Sequence, residues 1–456
     1  MNTQTPLIRF REGSLRADEV ATLGELEENV DYKHTTGGVV RMLLPLLRAW
    51  QAAGELRDPE WVAMGADAQD TVLEHDGLRL RFVGLAPEAR RGYAVVKERM
   101  WALLNSNPST AGPRGEGGIP EEAWAAFDLY QARSAHALLK ADERMGGLDL
   151  LYVHDFQQLG VAQHWTGPAV PKLFHLHTPF PSELPSGWAE YFLAQMRRYD
   201  AVVVSTNRYA ENLRHAGLRM PIHVIHPFID PTAYRDPTPD DLAALRERHD
   251  LAEDDRIVLN VGRMDPMKGQ DRLIRALPSL LARDPRVRLL LVGNGSFSST
   301  RKGGLGLDKG AAWRASLEVL AKELGVLERV TFTGHLGDDL LPAAYEAAEV
   351  FCLPSTREGF GLAAIEAWRQ EKPVVVCDRA GVAELVEDGV NGEVVDCARS
   401  GALAEALGRM LAGPDEARRM GRAGRDASEA ATLPVGRRAL ERVFQELQEE
   451  RVHAVA

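Results

Sequence analysis

Short apolar runs alternate with amphipathic stretches of helical period along almost the whole chain, and that alternation leaves few folds open. Runs that are apolar on both faces need cover on both faces, which predicts parallel sheets sandwiched between helices. The runs fall into two sets. The first is 78–84, 148–154, 172–177, 201–205 and 222–226, and the second is 256–261, 287–292, 330–333, 350–354, 373–377 and 392–395. A Pro- and Asp-rich stretch, 227–241, separates them and leads into a polar helix ending near Asp250. The expectation is therefore an α/β chain with two Rossmann-like parallel-sheet domains, 1–230 and 231–434, and a charged amphipathic helix over 435–456. Ligands of such sheets lie beyond the carboxyl ends of the strands, so two facing sheets imply a central cleft.

With 456 residues, 45% of them hydrophobic, the chain has ample material for such cores. A net charge of −12 argues against a general polyanion or nucleic-acid binder, because that affinity comes from clustered Lys and Arg. Any phosphate site must be local. Cys352, Cys377 and Cys397 contain no Cys-x-x-Cys pair and read as small core residues, which suits a reducing cytoplasm. The N-terminus has no basic start followed by an apolar run, and no stretch reaches about 18 apolar residues, so neither secretion nor a membrane span is expected. The oligomeric state is left open, a homo-oligomer included.

Two segments carry chemistry. In the first, Arg357-Glu358-Gly359-Phe360-Gly361-Leu362, a Gly-rich turn joins an apolar strand to a helix over 362–369. A diphosphate there would meet the first helix amides and the positive end of the dipole, and Glu366, one turn in, would accept from vicinal ribose hydroxyls. Glu358 would face the sugar. In the second, the run at 258–261 leads into Gly262-Arg263-Met264-Asp265-Pro266-Met267-Lys268-Gly269. Arg263 offers a fork for phosphate oxygens and Lys268 a point charge, and the two suit a departing nucleoside diphosphate. Either segment alone would pass as a solvated turn, but two on one sheet edge argue for a site.

These segments, with Leu291-Val292-Gly293-Asn294-Gly295, Thr333-Gly334-His335, Pro373-Val374-Val375 and Gly389-Val390-Asn391-Gly392, resemble the retaining glycosyltransferases of the GT-B fold, the large family that includes sucrose-phosphate synthases. The resemblance covers most of 257–396. It implies a nucleoside-diphosphate sugar as co-substrate, with Arg263 and Lys268 on the diphosphate and Glu366 on the ribose. Glu358, Gly359, Phe360, Gly361 and Leu362 would lie near the sugar, and His335 and Leu336 by the base. It implies no metal and no other cofactor.

The first half, with Gly37-Gly38, Trp61-Val62-Ala63-Met64-Gly65, Trp101, Val153-His154-Asp155-Phe156-Gln157 and His175-Leu176-His177-Thr178-Pro179-Phe180-Pro181, is similar to trehalose-phosphate synthases. That similarity implies His177 beside the donor sugar, Asp155 and Trp101 on the acceptor, and Gly37 and Gly38 near the donor phosphates. The catalytic set it suggests is Arg263, Lys268, His177 and Glu358. Where the family ends its first strand in Ser-Asn-Arg, this chain offers Leu7-Ile8-Arg9-Phe10-Arg11, which puts the acceptor phosphate in question. Arg301, in a basic Ser/Gly-rich loop, is the substitute. His154 and His175 read as packing residues, Trp101 also suits a core position, and Gly37-Gly38 also suits a plain helix start.

The expected activity is retaining transfer of an α-glucosyl group from a nucleoside-diphosphate glucose to glucose or glucose 6-phosphate, giving trehalose or trehalose 6-phosphate. The rivals are another small α-glycoside, such as a sugar-phosphate disaccharide or a glucosylated polyol, and a noncatalytic sugar-nucleotide binder. A dehydrogenase is disfavoured, as no Gly-x-Gly-x-x-Gly follows a first strand.

Overall fold

In the computed structural model, residues 1–456 are described apart from 18, 36, 57, 106–111, 115, 116, 186, 295–307, 338 and 456. The chain divides into two compact units, one of 1–226 with 436–456 and the other of 227–435.

In the first unit the strands are β1 (Asn2–Thr3), β2 (Ile8–Phe10), β3 (Val20–Ala21), β4 (Tyr32–His34), β5 (Glu60–Met64), β6 (Thr71–His75), β7 (Leu78–Val83), β8 (Leu151–His154), β9 (Lys172–Leu176), β10 (Ala201–Val204) and β11 (Ile222–Val224). Nine of them form one sheet in the order β11-β10-β9-β8-β1-β5-β7-β6-β3, parallel except where β6 meets β7. The innermost strand is only two residues long. β1 pairs with β8 through Asn2 and Thr3 and with β5 through Asn2, and both residues are buried. This corrects the sequence reading of the first strand: Leu7-Ile8-Arg9-Phe10 lies outside the main sheet, where Ile8–Phe10 pairs antiparallel with Tyr32–His34. The helix Leu433–Val455 belongs to this unit from Gly436 onward, where Glu441 accepts from Trp50 Nε1 at 2.9 Å and Phe444 packs on Trp50 and Tyr152.

The second unit contains β12 (Arg256–Val261), β13 (Val287–Val292), β14 (Val330–Gly334), β15 (Ala348–Leu353), β16 (Val374–Cys377) and β17 (Gly392–Val395), all parallel, in the order β14-β13-β12-β15-β16-β17. Counted within the unit that order is 3-2-1-4-5-6, the doubly wound arrangement. Its continuous apolar runs have a simple cause. Alternate residues such as Val258, Leu289, Leu291, Val350, Cys352 and Val375 enter one core, and Ile257, Leu259, Leu290, Phe351, Leu353 and Val374 enter the core on the other face. All three cysteines are buried in the first of these cores.

A doubly wound sheet reverses direction between its first and fourth strands, here β12 and β15, and that switch point is where such sheets bind ligands. The segments after β12 and after β15 are the two that sequence singled out.

Candidate active site

The loop after β12 turns through a short 3-10 helix, Pro266–Lys268, capped by Asp265, which accepts from the amide of Met267 at 3.0 Å. Gly269 follows at φ 73°, and a Cβ there would stand 2.3 Å from the carbonyl oxygen of Pro354. Glycine thus lets the β12 loop lie directly on the start of the β15 loop. Lys268 Nζ consequently reaches Glu358 Oε2 at 2.5 Å, an ion pair whose side chains are 17% and 15% exposed. Arg263 is half-buried on the same loop, where its carbonyl accepts from Gln270 Nε2 at 2.8 Å.

Beyond Glu358 the chain passes through Phe360, which is buried, to Gly361 at φ 112° and ψ 57°. A Cβ at Gly361 would come within 2.6 Å of Leu353 Cδ2. The turn is pinned from behind, because the amides of Gly381 and Val382 donate to the carbonyls of Glu358 and Phe360. The helix Leu362–Arg369 then begins from Gly361, which supplies no side-chain cap at the positive end of its dipole. Glu366, 2% exposed, is held by two phenols: Tyr234 donates to Oε1 at 2.8 Å and Tyr345 to Oε2 at 2.7 Å. Leu336 is buried and His335 exposed at the end of β14, whose Gly334 carbonyl accepts from the amide of Gly293.

One sheet edge therefore gathers Arg263, Lys268, Glu358, Gly359, Phe360, Gly361, Leu362 and Glu366. The arrangement offers cations, uncapped helix amides and a buried carboxylate, the groups a nucleoside diphosphate needs. Sequence reasoning missed Tyr234 and Tyr345. Arg301 lies outside the described residues.

In the first unit the corresponding edge follows β8 and β9. Asp155, one residue past β8, sits at φ 67° and ψ 161°, a region that glycine alone enters without strain. Its carboxylate accepts from Thr178 Oγ1 at 3.1 Å and from the amide of Phe156 at 3.2 Å. Burial pushes the Asp155 carboxyl up to about 6, against the pull of those hydrogen bonds. His177 sits one residue past β9, and burial pushes its imidazole down to about 3. His154 and His175, opposite each other in the β8/β9 register, are buried and also held neutral by burial.

The three imidazoles are close enough for an ion, with one ligand atom from each lying within 4.8 Å of the others. Their rings lie 10° (His154 and His177) and 28° (His175 and His177) from parallel, a stacked arrangement. His154 Nδ1 and His177 Nε2 share a hydrogen bond of 3.0 Å, and His175 Nδ1 shares one of 2.6 Å with Tyr152. Stacked and hydrogen-bonded in this way, the cluster orients His177. Trp101 is half-buried with its ring 6.2 Å from Phe156, and Gly37 caps the helix Gly38–Ala52 without a side-chain bond.

Residues 242–427 match the family model described as Glycosyl transferases group 1, and residues 36–233 match Glycosyltransferase Family 4. A D-inositol 3-phosphate glycosyltransferase of Nocardia farcinica is 39% identical over 226 residues, 49% of this chain and 47% of that protein. A GDP-mannose-dependent phosphatidylinositol monomannoside mannosyltransferase of Mycolicibacterium smegmatis is 39% identical over 196 residues, 41% of this chain and 47% of that protein. The chain thus spans about half the length of the curated relatives it matches. Among solved structures, a UDP-forming trehalose-phosphate synthase of Burkholderia vietnamiensis superposes with a TM-score of 0.72 at 19% identity, over 90% of this chain and 94% of that one. A sucrose-phosphate synthase of Thermosynechococcus elongatus superposes at 0.69 with 24% identity, over 90% and 94%. The fold is GT-B.

Proposed function

We propose that this GT-B chain is a glycosyltransferase that moves a hexosyl group from a nucleoside-diphosphate sugar to a small sugar or polyol. The observation that carries the reading is the meeting of Lys268 with the Gly359-Phe360-Gly361 turn at the β12/β15 switch point, with Glu366 one helical turn beyond. The donor's diphosphate lies against Lys268, Arg263 and the amides at 362–363, and its ribose against Glu366. A Lys ammonium has three donors, so Lys268 keeps its bond to Glu358 and still offers two to phosphate oxygens.

Within the first unit, Asp155 and Trp101 are assigned to the acceptor and His177 to the sugar. Transfer retains configuration: the acceptor enters on the face the diphosphate leaves, and a diphosphate oxygen takes its proton. Charge neutralisation falls to Arg263, Lys268 and the helix amides, a role for fixed groups that requires no metal. In this scheme the protein orients and stabilises and forms no covalent bond to the sugar.

The finer assignment is an α-glucosyl donor with glucose or glucose 6-phosphate as acceptor, in keeping with the trehalose-phosphate synthase fold of the solved neighbours. The names of the sequence relatives favour a second reading, in which the acceptor is an inositol phosphate or a related polyol. Mass-spectrometric product analysis with UDP-, ADP- and GDP-glucose against glucose, glucose 6-phosphate and D-inositol 3-phosphate separates them. Nucleotide binding with no release of nucleoside diphosphate from any pair would leave only a sugar-nucleotide binder.

A further inference from the structure

Gln270 opens the helix Gln270–Leu281 and is 0% exposed, so its amide must find partners inside the protein. Its Nε2 donates to the carbonyl of Arg263 at 2.8 Å, and its Oε1 accepts from Trp313 Nε1, on the helix Asp308–Glu323, at 3.1 Å. A backbone carbonyl only accepts and an indole N–H only donates, so the two partners fix which end of the amide faces each. Trp313 is itself partly buried against the core that receives Leu273 and Leu277 from the helix of Gln270. On either side of Arg263, the amides of Gly262 and Met264 donate to the carbonyls of Val292 and Asn294 at 2.9 and 2.8 Å, and Gln270 adds the tether on the Arg263 carbonyl.

We infer that Gln270 is a positioning residue for diphosphate recognition: it ties the Arg263 backbone to the Trp313 indole and so holds the arginine where the diphosphate is bound. A guanidinium fork matches phosphate oxygens over a narrow range of positions, and a side chain can be no better placed than the backbone that carries it. Leucine at 270 has about the bulk of glutamine and no hydrogen-bonding group, so it leaves both the Arg263 carbonyl and the Trp313 N–H without this partner. The inference rests on the reading that Arg263 holds the donor's diphosphate, and goes beyond it by naming the residue that keeps Arg263 in place for it.

The test is a double-mutant cycle, with UDP, ADP and GDP titrated calorimetrically into the wild-type chain, Gln270→Leu, Arg263→Ala and the double variant. Arg263→Ala is expected to weaken the nucleotide that the wild type binds by about tenfold or more, the worth of one charge-assisted hydrogen bond. Gln270→Leu is expected to weaken it by about threefold or more in the wild-type background and to change nothing further beside Arg263→Ala. A merely structural glutamine would weaken binding by the same factor in both backgrounds, so an additive cycle overturns the inference. Wild-type affinity in Gln270→Leu overturns it too.

An Arg263→Ala variant that binds nucleotide as the wild type does removes the diphosphate role of Arg263, and the inference falls with it. A wild type that binds no nucleotide removes the donor reading itself, which is a different failure. Should Gln270→Leu not fold, Trp313→Phe takes away the other partner of the same amide, and its effect on nucleotide binding must likewise vanish beside Arg263→Ala.

Discussion

Removing the ammonium of Lys268 separates the proposed chemistry from ordinary stability. Lys268 Nζ lies 2.5 Å from Glu358 Oε2 with both side chains largely out of water, so Lys268→Ala does two things. It leaves the Glu358 carboxylate without its cation, which is expected to cost about 1–3 kcal/mol of unfolding free energy in the second unit. It also withdraws a preorganised charge from the leaving diphosphate, worth about 2–4 kcal/mol in the transition state. The latter corresponds to roughly 30- to 900-fold in kcat. The two are distinguishable. Denaturant unfolding reports the first, and steady-state release of nucleoside diphosphate under saturating donor reports the second, at a temperature where the variant is fully folded. The charge grows as the bond breaks, so kcat should fall by more than the donor KM rises. A folded Lys268→Ala with kcat within threefold of wild type would refute the leaving-group role.

Further outcomes follow from the same geometry. Gly269→Ala is expected to lose about 2–4 kcal/mol in denaturant unfolding, since its Cβ would stand 2.3 Å from the Pro354 carbonyl oxygen at φ 73°; wild-type stability would contradict the close approach of the two loops. Asp155, raised from 3.8 to about 6 in the folded chain, favours folding below its unfolded value, and that contribution is lost as pH climbs through 6. Asp155→Asn should therefore gain on wild type by up to about 3 kcal/mol between pH 4 and pH 7, and parallel pH–stability curves for the two would count against the shift. His177 has the opposite sign: lowered to about 3, it favours folding above pH 6.5, and that contribution is lost as pH falls toward 3. His177→Gln should flatten the acid limb of wild-type stability in that window, and an unchanged limb would show that His177 does not stay neutral.

The second unit was largely legible in sequence because its strands are apolar on both faces and end in glycine-rich loops. The helix at 362–369 and the strands at 256–261 and 287–292 match the structure residue for residue, each bounded by a change of pattern that only one register satisfies. The switch point also explains why Lys268 and Glu358, 90 residues apart, meet. The first unit was harder to read. Its innermost strand is two residues, Asn2 and Thr3, too short and too polar to show a period, and the more strand-like Ile8–Phe10 was taken in its place. Asp155 gave no sequence signal of its unusual backbone, since such strain is imposed by packing. Tyr234 and Tyr345 stayed hidden because their partner carboxylate is 132 and 21 residues away and neither lies in a loop of recognisable composition. No described helix is long and apolar enough to cross a membrane.

The most direct measurement of the central claim is a crystal structure of the chain with an intact nucleoside-diphosphate glucose bound. The account predicts diphosphate oxygens within hydrogen-bonding distance of Lys268 Nζ, the Arg263 guanidinium and the amides at 362–363, and ribose hydroxyls on Glu366. A nucleotide seated elsewhere, or at this edge with Arg263, Lys268 and Glu366 turned from it, would contradict the account.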